Sequence, residues 1–433
     1  MNKTITVFVD EAQIYAKPVW HVLGLIGLNK SIFFKPVDNP QSAQLIVGEH
    51  IKVTASFYED LHKGIFSHSF HFKNDSFIRN TDLSRENREG GIDYLATIFY
   101  MVNCLQEYNP SESALDKYGR FRFAESFQYR FQNITENLVQ HCIDAFCNEH
   151  EVLKGFANQH QPTKILLTHD IDSLYGAWKY ESRWALKRGR LDLMFKLIAE
   201  VFLQNHSWFN IDKILKIHTE NDVKSTFFWI TQQGRGDFGI KNADYSIHSM
   251  KIQEALHNIM NADFEVGLHK SSLKSSFYDE MKILPPGYIL ANRFHFLKFN
   301  VPNGWQDLEK DEVAFDASLG FAEAYGFRNS YGLPFEPFDW SQQRTLDTLV
   351  TPLNIMDGTL GDYMKIPLNQ IQNHITDFLD KHKKNCLLTI LWHNTEFSEY
   401  SFKAYLDIYK NILKHIKANN IEVTSIKNVL GNA

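Results

Sequence analysis

From Pro162 onward the chain alternates short apolar runs with amphipathic stretches, and this rhythm limits the possible folds more than any other feature. The strand-like runs cover 165–167, 225–230, 265–269, 293–299, 314–318, 349–353, 386–393 and 422–425. Helical spacing lies between most of them, over 191–203, 209–219, 251–260, 371–382 and 402–418. Strand–helix alternation repeated this often predicts an α/β fold whose parallel sheet closes, or nearly closes, as a barrel. No Gly-x-Gly-x-x-Gly or Walker A sequence accompanies it, so nucleotide-cradling folds lose support.

The apolar runs end in polar residues. The first ends Thr168-His169-Asp170-Ile171-Asp172 and the third Gly267-Leu268-His269-Lys270-Ser271-Ser272. The fourth carries Arg293-Phe294-His295, the fifth Asp316 and Ser318, and the seventh Trp392-His393-Asn394. In α/β barrels the C-terminal ends of the strands build the site, so these Asp, His and Arg side chains are expected at one mouth. In an extended chain residues i and i+2 share a face, which points Asp170 and Asp172 the same way. Paired carboxylates at a buried strand tip are costly unless they bind a cation or do proton chemistry.

Each residue alone has a plain structural reading. His269 or His295 can be a hydrogen-bonded core histidine, Asp316 a turn cap, and His248 and His257 helix-surface residues. The coincidence of titratable residues at several strand ends favours a shared site. Asp and His together suit Zn²⁺ or a similar divalent ion. A bound ion with open positions, a carboxylate base and a histidine acid together allow hydrolysis of an amide or ester.

These strand ends resemble the polysaccharide deacetylase (NodB-homology) family of carbohydrate esterases. Thr168-His169-Asp170-Ile171-Asp172 resembles its first motif, Thr-Phe-Asp-Asp. Glu265-Val266-Gly267-Leu268-His269-Lys270-Ser271 is similar to its second, and Leu391-Trp392-His393 to its last. The whole chain resembles a bacterial branch that adds an uncharacterised N-terminal domain. Asp116-Lys117-Tyr118-Gly119-Arg120-Phe121, Arg293-Phe294-His295-Phe296-Leu297 and Asp316-Ala317-Ser318-Leu319-Gly320-Phe321 carry that closer likeness.

The resemblance implies a distorted (β/α)7-type barrel and metal-dependent removal of acetyl groups from an N- or O-acetylated sugar, polysaccharide or glycan precursor. It implies Asp170 as base, His269 as a metal histidine, His393 as general acid and Arg293 as the group orienting the base. Two positions depart from the pattern. Ile171 stands where the family has a second Asp, and Leu273 where it has a second His. Asp172, His269 and His295 are therefore expected as a rewired metal triad. Two further readings stay open: a catalytically inactive glycan-binding protein on the same scaffold, and a glycosidase-like barrel with Asp170 and Asp316 as its acid pair.

The expected organisation is a smaller α/β domain of unknown role over 1–130, a helical linker over 131–161 and the barrel over 162–433. In the first unit, 5–9 and 44–47 read as strands, 18–28 and 93–108 as helices, and 73–92 as a polar loop; 135–150 reads as the linking helix. No chemical constellation is apparent in this half. Cys104, Cys142, Cys147 and Cys386 form no Cys-x-x-Cys pair and read as buried thiols.

The 433 residues are 44% hydrophobic and carry a net charge of −6, which gives no support to a nucleic-acid partner. The short basic run Lys187-Arg188-Gly189-Arg190 reads first as a solvated helix end and second as a contact for an anionic substrate. No signal-peptide pattern opens the chain and no apolar run approaches roughly 18 residues, so a cytoplasmic protein without a membrane span is expected. Aromatic residues make up 14% of the chain, which suits a site that stacks sugar rings. Arg328 and Trp340, in Gly/Pro/aromatic-rich loops, are candidates for the rim of that site, and Asn394, Glu396 and Glu399 for its mouth.

Overall fold

A computed structural model describes residues 3–66, 92–203 and 206–431. Three short parallel strands, β1 (Lys3–Phe8), β2 (Ile32–Pro36) and β3 (Leu45–Ile46), form a small sheet in the order β2-β1-β3. The helix Ala16–Lys30 connects β1 to β2. The apolar helix Tyr94–Val102 is buried along its whole length and packs against the helix Leu138–Glu149. Of the expected 73–92 loop, all but Ile92 lies outside the described residues.

The second part is a closed barrel of seven parallel strands. They are β4 (Lys164–Ile171), β5 (Thr226–Trp229), β6 (Glu265–Lys270), β7 (Ala291–Phe294) and β8 (Phe315–Leu319), then β11 (Leu349–Met356) and β12 (Leu387–Leu391). Each pairs with the next, and β12 returns to β4 with Leu387 opposite Lys164 and Leu391 opposite Thr168. Two short strands, β9 (Phe338–Asp339) and β10 (Arg344–Thr345), make a hairpin in the excursion between β8 and β11. Helices on the outside cover the barrel, so its strands are buried on both faces and read as near-continuous apolar runs.

The last strand, β13 (Glu422–Thr424), pairs with the start of β4, while β5 pairs with its end. Glu265 closes this lower corner. Its carboxylate accepts from Thr226 Oγ1 at 2.6 Å and from the backbone N–H groups of Ile426 and Lys427 at 2.9 and 2.8 Å.

The predicted elements largely recur, with two informative differences. The strand expected over 293–299 stops at Phe294, and the chain turns sharply through Phe296 and Leu297, both at positive φ (59° and 50°). The strand expected over 349–353 continues to Met356. All four cysteines are buried and free. One apolar core cluster runs from Ile5 through Leu95 and Leu138 to Ile165 and Ile416, so the two halves share a core. Among the described residues, no helix is long and apolar enough to cross a membrane.

Candidate active site

Strand periodicity decides which residues of β4 meet the barrel mouth. Thr168, Asp170 and Asp172 point inward. His169 points outward and does not join the mouth expected from the sequence. Its Nδ1 lies 2.7 Å from the Trp392 carbonyl, and its ring packs among His218, Phe227, Phe397 and Tyr409. Burial lowers its pKa to about 4.

The end of β6 brings His269 to the two carboxylates, with Nε2 3.5 Å from Asp170 Oδ2 and 3.1 Å from Asp172 Oδ1. Its Nδ1 lies 2.9 Å from the Arg293 carbonyl, which leaves Nε2 directed into the site. His295, on the turn just past β7, places Nε2 3.8 Å from Asp172 Oδ2. One ligand atom each from Asp172, His269 and His295 lies within 4.8 Å of the other two.

These residues fit a divalent cation. The donor set is one carboxylate and two imidazoles. Asp170 Oδ1 and His295 Nδ1 are buried with no hydrogen-bond partner. The His269 contact to the Arg293 carbonyl is the orienting bond that ligating histidines normally make. Burial works against a charge on Asp172, but His295 and His269 hold its carboxyl well below the usual range. Burial likewise opposes protonation of His269, yet Asp170 and Asp172 raise its pKa. His295 is lowered to about 4, chiefly by burial.

Arg293 is fully buried beside Asp170, with Nη1 3.8 Å from Oδ1. Its Nη2 donates to Thr168 Oγ1 at 3.0 Å, and its guanidinium lies over the Phe228 ring at 5.1 Å. On the opposite wall His393 Nε2 stands 3.8 Å from Asp172 Oδ2. Its Nδ1 lies 2.7 Å from Asp357 Oδ1, and its backbone N–H donates to Asp357 Oδ2 at 2.6 Å. Burial disfavours the imidazolium, but Asp357, with Asp172 and Asp170 behind it, raises the His393 pKa to about 10. Asp357 directly follows β11. The signal that found the other residues, a polar group at the tip of an apolar run, applies to it once that strand is read to its full length.

Asp170, Asp172, His269 and His393 open onto a cavity of about 170 Å³, which His295, Arg293 and Asp357 do not line. Leu297, Met356 and Leu391 form an apolar patch in it, while Asp170, Asp172, His269 and His393 form the polar side. The N-terminal half, where the sequence reading found no chemistry, also lines this cavity through Arg120. Gly119 at φ 78° turns the chain so that Arg120 reaches back to Asp116, Nε to Oδ2 at 2.7 Å. The same guanidinium donates from Nη1 to the Phe296 carbonyl at 2.8 Å and from Nη2 to the Tyr363 hydroxyl at 3.4 Å. It therefore ties the turn that carries His295 to the segment after β11.

Other expected residues lie elsewhere. Asp316 is buried but does not line the cavity. Its carboxylate accepts from Asn292 Nδ2 at 2.8 Å and from Ser318 Oγ and N at 2.8 and 3.1 Å. Burial raises its pKa to about 6. The acid pair Asp170 and Asp316 thus does not share the cavity. Lys270 and Ser271 bond to buried Glu280, and Ser272 to Asn242.

Arg328 is not on the rim. It is buried against Glu107, with Nε–Oε1 3.0 Å and Nη2–Oε2 2.5 Å, between the rings of Phe299 and Phe321. Trp340 packs on His62 and Phe99 of the N-terminal half. Asn394 Nδ2 donates to the carbonyls of Ser173 and Trp208. Glu396 is held protonated more readily than usual by burial and by Asp357. Glu399 is exposed and pairs with Lys213 at 2.8 Å. His248 and His257 are exposed, as expected.

Residues 27–153 match a family of unknown function, DUF7033. No curated protein matches the chain. Similar solved structures include the chitin deacetylase from the fungal pathogen Colletotrichum lindemuthianum, 11% identical, covering 63% of this chain and 89% of that one at a TM-score of 0.36. A polysaccharide deacetylase from Bacillus cereus is 12% identical, with 61% and 92% covered and a TM-score of 0.32. The Puue allantoinase is 10% identical, with 64% and 95% covered and a TM-score of 0.41.

Proposed function

We propose that the protein is a metal-dependent hydrolase that removes acetyl groups from an N- or O-acetylated sugar or glycan. The observation that carries this reading is the convergence of Asp172, His269 and His295 beside a separate carboxylate, Asp170, and a separate imidazole, His393. Asp172, His269 and His295 would hold the ion, Zn²⁺ by the chemistry of the donor set. When bound, such an ion polarises an acyl carbonyl and acidifies a water.

The side chains around it divide the remaining work. Asp170, with Arg293 beside it, takes the proton of the attacking water. His393, oriented by Asp357, donates a proton to the departing amine or alkoxide. The products are acetate and the free amine or alcohol, so one water is consumed per bond broken. Leu297, Met356 and Leu391 offer the acyl methyl an apolar wall and keep bulk water from it. The resemblance of the three motifs to the polysaccharide deacetylase family points to the same chemistry.

Metal analysis of the purified protein, with Asp172→Ala, His269→Ala and His295→Ala, tests the proposal alongside acetate release from acetylated oligosaccharides. Each variant is expected to lose metal and turnover. Full occupancy in all three would sink it. A second reading, glycan binding without catalysis, draws on the departures at Ile171 and Leu273. Oligosaccharide binding by a metal-free wild type that releases no acetate would favour it.

A further inference from the structure

Residues 173–203 leave the barrel after β4, and the chain returns from 206–210 through the helix Ile211–Asn221 to β5. Such an excursion belongs to the same face of a barrel as the strand tips that build the mouth. It contains two helices, Ala177–Lys187 and Leu191–Phe202, packed on each other.

One side of this hairpin is well anchored. Glu181 is fully buried and accepts from Ser207 Oγ at 2.5 Å, from Ser398 and from Ser401 Oγ at 3.1 Å. Ala185, Leu193 and Leu197 form a small core with Trp184, Met194 and Tyr400.

The other side is apolar and uncovered. Leu191, Phe195, the half-buried Ile198 and Phe202 stand at i, i+4, i+7 and i+11, within about 60° of arc at roughly 100° per residue. Leu191, Phe195, Phe202 and the adjoining Leu203 are 50%, 64%, 83% and 76% exposed. Asp192, Lys196 and Glu200 form one polar strip at i, i+4 and i+8, and a wide apolar face like the rest of this helix is normally buried, in protein or in lipid. This helix is too short to span a bilayer.

The charges around the stripe identify what covers it. Lys179, Arg183, Lys187, Arg188, Arg190 and Lys196 are all exposed on this hairpin, in a chain whose net charge is −6. The acidic residues here that are not buried are Asp192, paired with Arg190, and Glu200, near Lys196. A two-fold contact with a second copy would press these bases together. An uncovered apolar stripe on a hairpin that carries more exposed bases than acids fits the boundary between anionic headgroups and acyl chains.

We propose that this hairpin docks the protein on an anionic lipid surface and turns the barrel mouth toward it. On the deacetylase reading of the site, the substrate is then a glycan held at the membrane, carried on a lipid or tethered close to it.

Sedimentation of the full chain with extruded vesicles tests the docking without metal or substrate, so it stands apart from any failure of the deacetylase reading. The vesicles are phosphatidylcholine alone or with about one-third phosphatidylglycerol, in low and in molar salt. The wild type is expected to sediment with the anionic vesicles and less with neutral ones. Phe195→Glu with Phe202→Glu should weaken binding more than about tenfold, with unchanged melting and unchanged acetate release from a soluble oligosaccharide. Lys187→Glu with Arg188→Glu should remove only the preference for anionic lipid. A wild type that stays in solution with anionic vesicles would overturn the proposal. So would a doubly substituted protein that sediments as before, or a wild-type dimer that the Phe195 and Phe202 changes turn into monomers.

Discussion

His393 and Asp357 are joined twice, side chain to side chain at 2.7 Å and backbone N–H to carboxylate at 2.6 Å. The double contact fixes the ring orientation and leaves Nε2 facing the cavity. Asp357→Asn keeps the shape but removes the charge that supports the imidazolium. Turnover is expected to fall by roughly 10²-fold or more, the scale of general acid catalysis, with KM changed little. Steady-state acetate release measures both, and an unchanged kcat would separate His393 from the proton transfer.

A bound ion should stabilise the fold by mass action, by about 2.7 kcal/mol when its concentration is 100 times the dissociation constant. Chelation is therefore expected to lower the melting temperature and abolish turnover, and Zn²⁺ to restore both. His295→Ala should remove the response to added metal while leaving the melting of the chelated protein near that of wild type. Calorimetry with and without chelator checks this, and an equal metal-dependent shift in the variant would remove His295 from the ligand set.

Arg120 holds the strained turn after His295 through the Phe296 carbonyl. Lysine keeps the charge but cannot bridge Asp116, Phe296 and Tyr363 together. Arg120→Lys is expected to weaken metal binding by roughly 10-fold or more, the scale of lost outer-shell support. Competition against a chromophoric chelator gives the constant. Wild-type affinity in the variant would reduce Arg120 to a packing role.

Glu107 and Arg328 form a buried pair between the two halves, both essentially inaccessible to solvent. Removing one charge strands the other, so Glu107→Gln should destabilise the protein by roughly 3 kcal/mol or more. Replacing both, Glu107→Leu with Arg328→Met, should cost less than the single change. Denaturant unfolding of the three proteins distinguishes these outcomes.

Burial lowers the pKa of His21 and His382 to about 4, and it also lowers that of His218 well below its ordinary value. Their unfolded value is about 6.5. Below that pH the unfolded chain binds more protons, so stability is complete above about 6.5 and is lost as pH falls toward 4. Each histidine adds a slope of up to about 1.4 kcal/mol per pH unit in that window. His382→Gln should flatten the curve measured by denaturant midpoints from pH 4 to 8. An unaltered curve would show that this histidine titrates alike in both states.

Much of the site was legible because strand ends are local objects. An apolar run that stops at Asp170, His269 or His393 announces a polar residue at a buried tip, and period-two alternation pairs Asp170 with Asp172. Asp357 escapes the same rule only when β11 is taken to end at Leu353, because the strand runs on to Met356. His169 shares the strand end of β4, but alternation turns it outward. Arg328 and Trp340 sat in loops that looked like a rim, but the shared core drew them inward, where Glu107 and Phe99 meet them.

The sequence by itself determined the order of strands and helices, and with it the parallel barrel. It also determined which strand tips carry titratable groups. Only the tertiary structure decided that β12 pairs with β4, that His295 lies on a turn past β7 and not within the strand, and that Arg120, 176 residues from Phe296 in the chain, reaches that turn. Local periodicity is written in neighbouring residues. The partner of a buried charge is set by whichever distant segment the closed barrel brings within hydrogen-bonding distance.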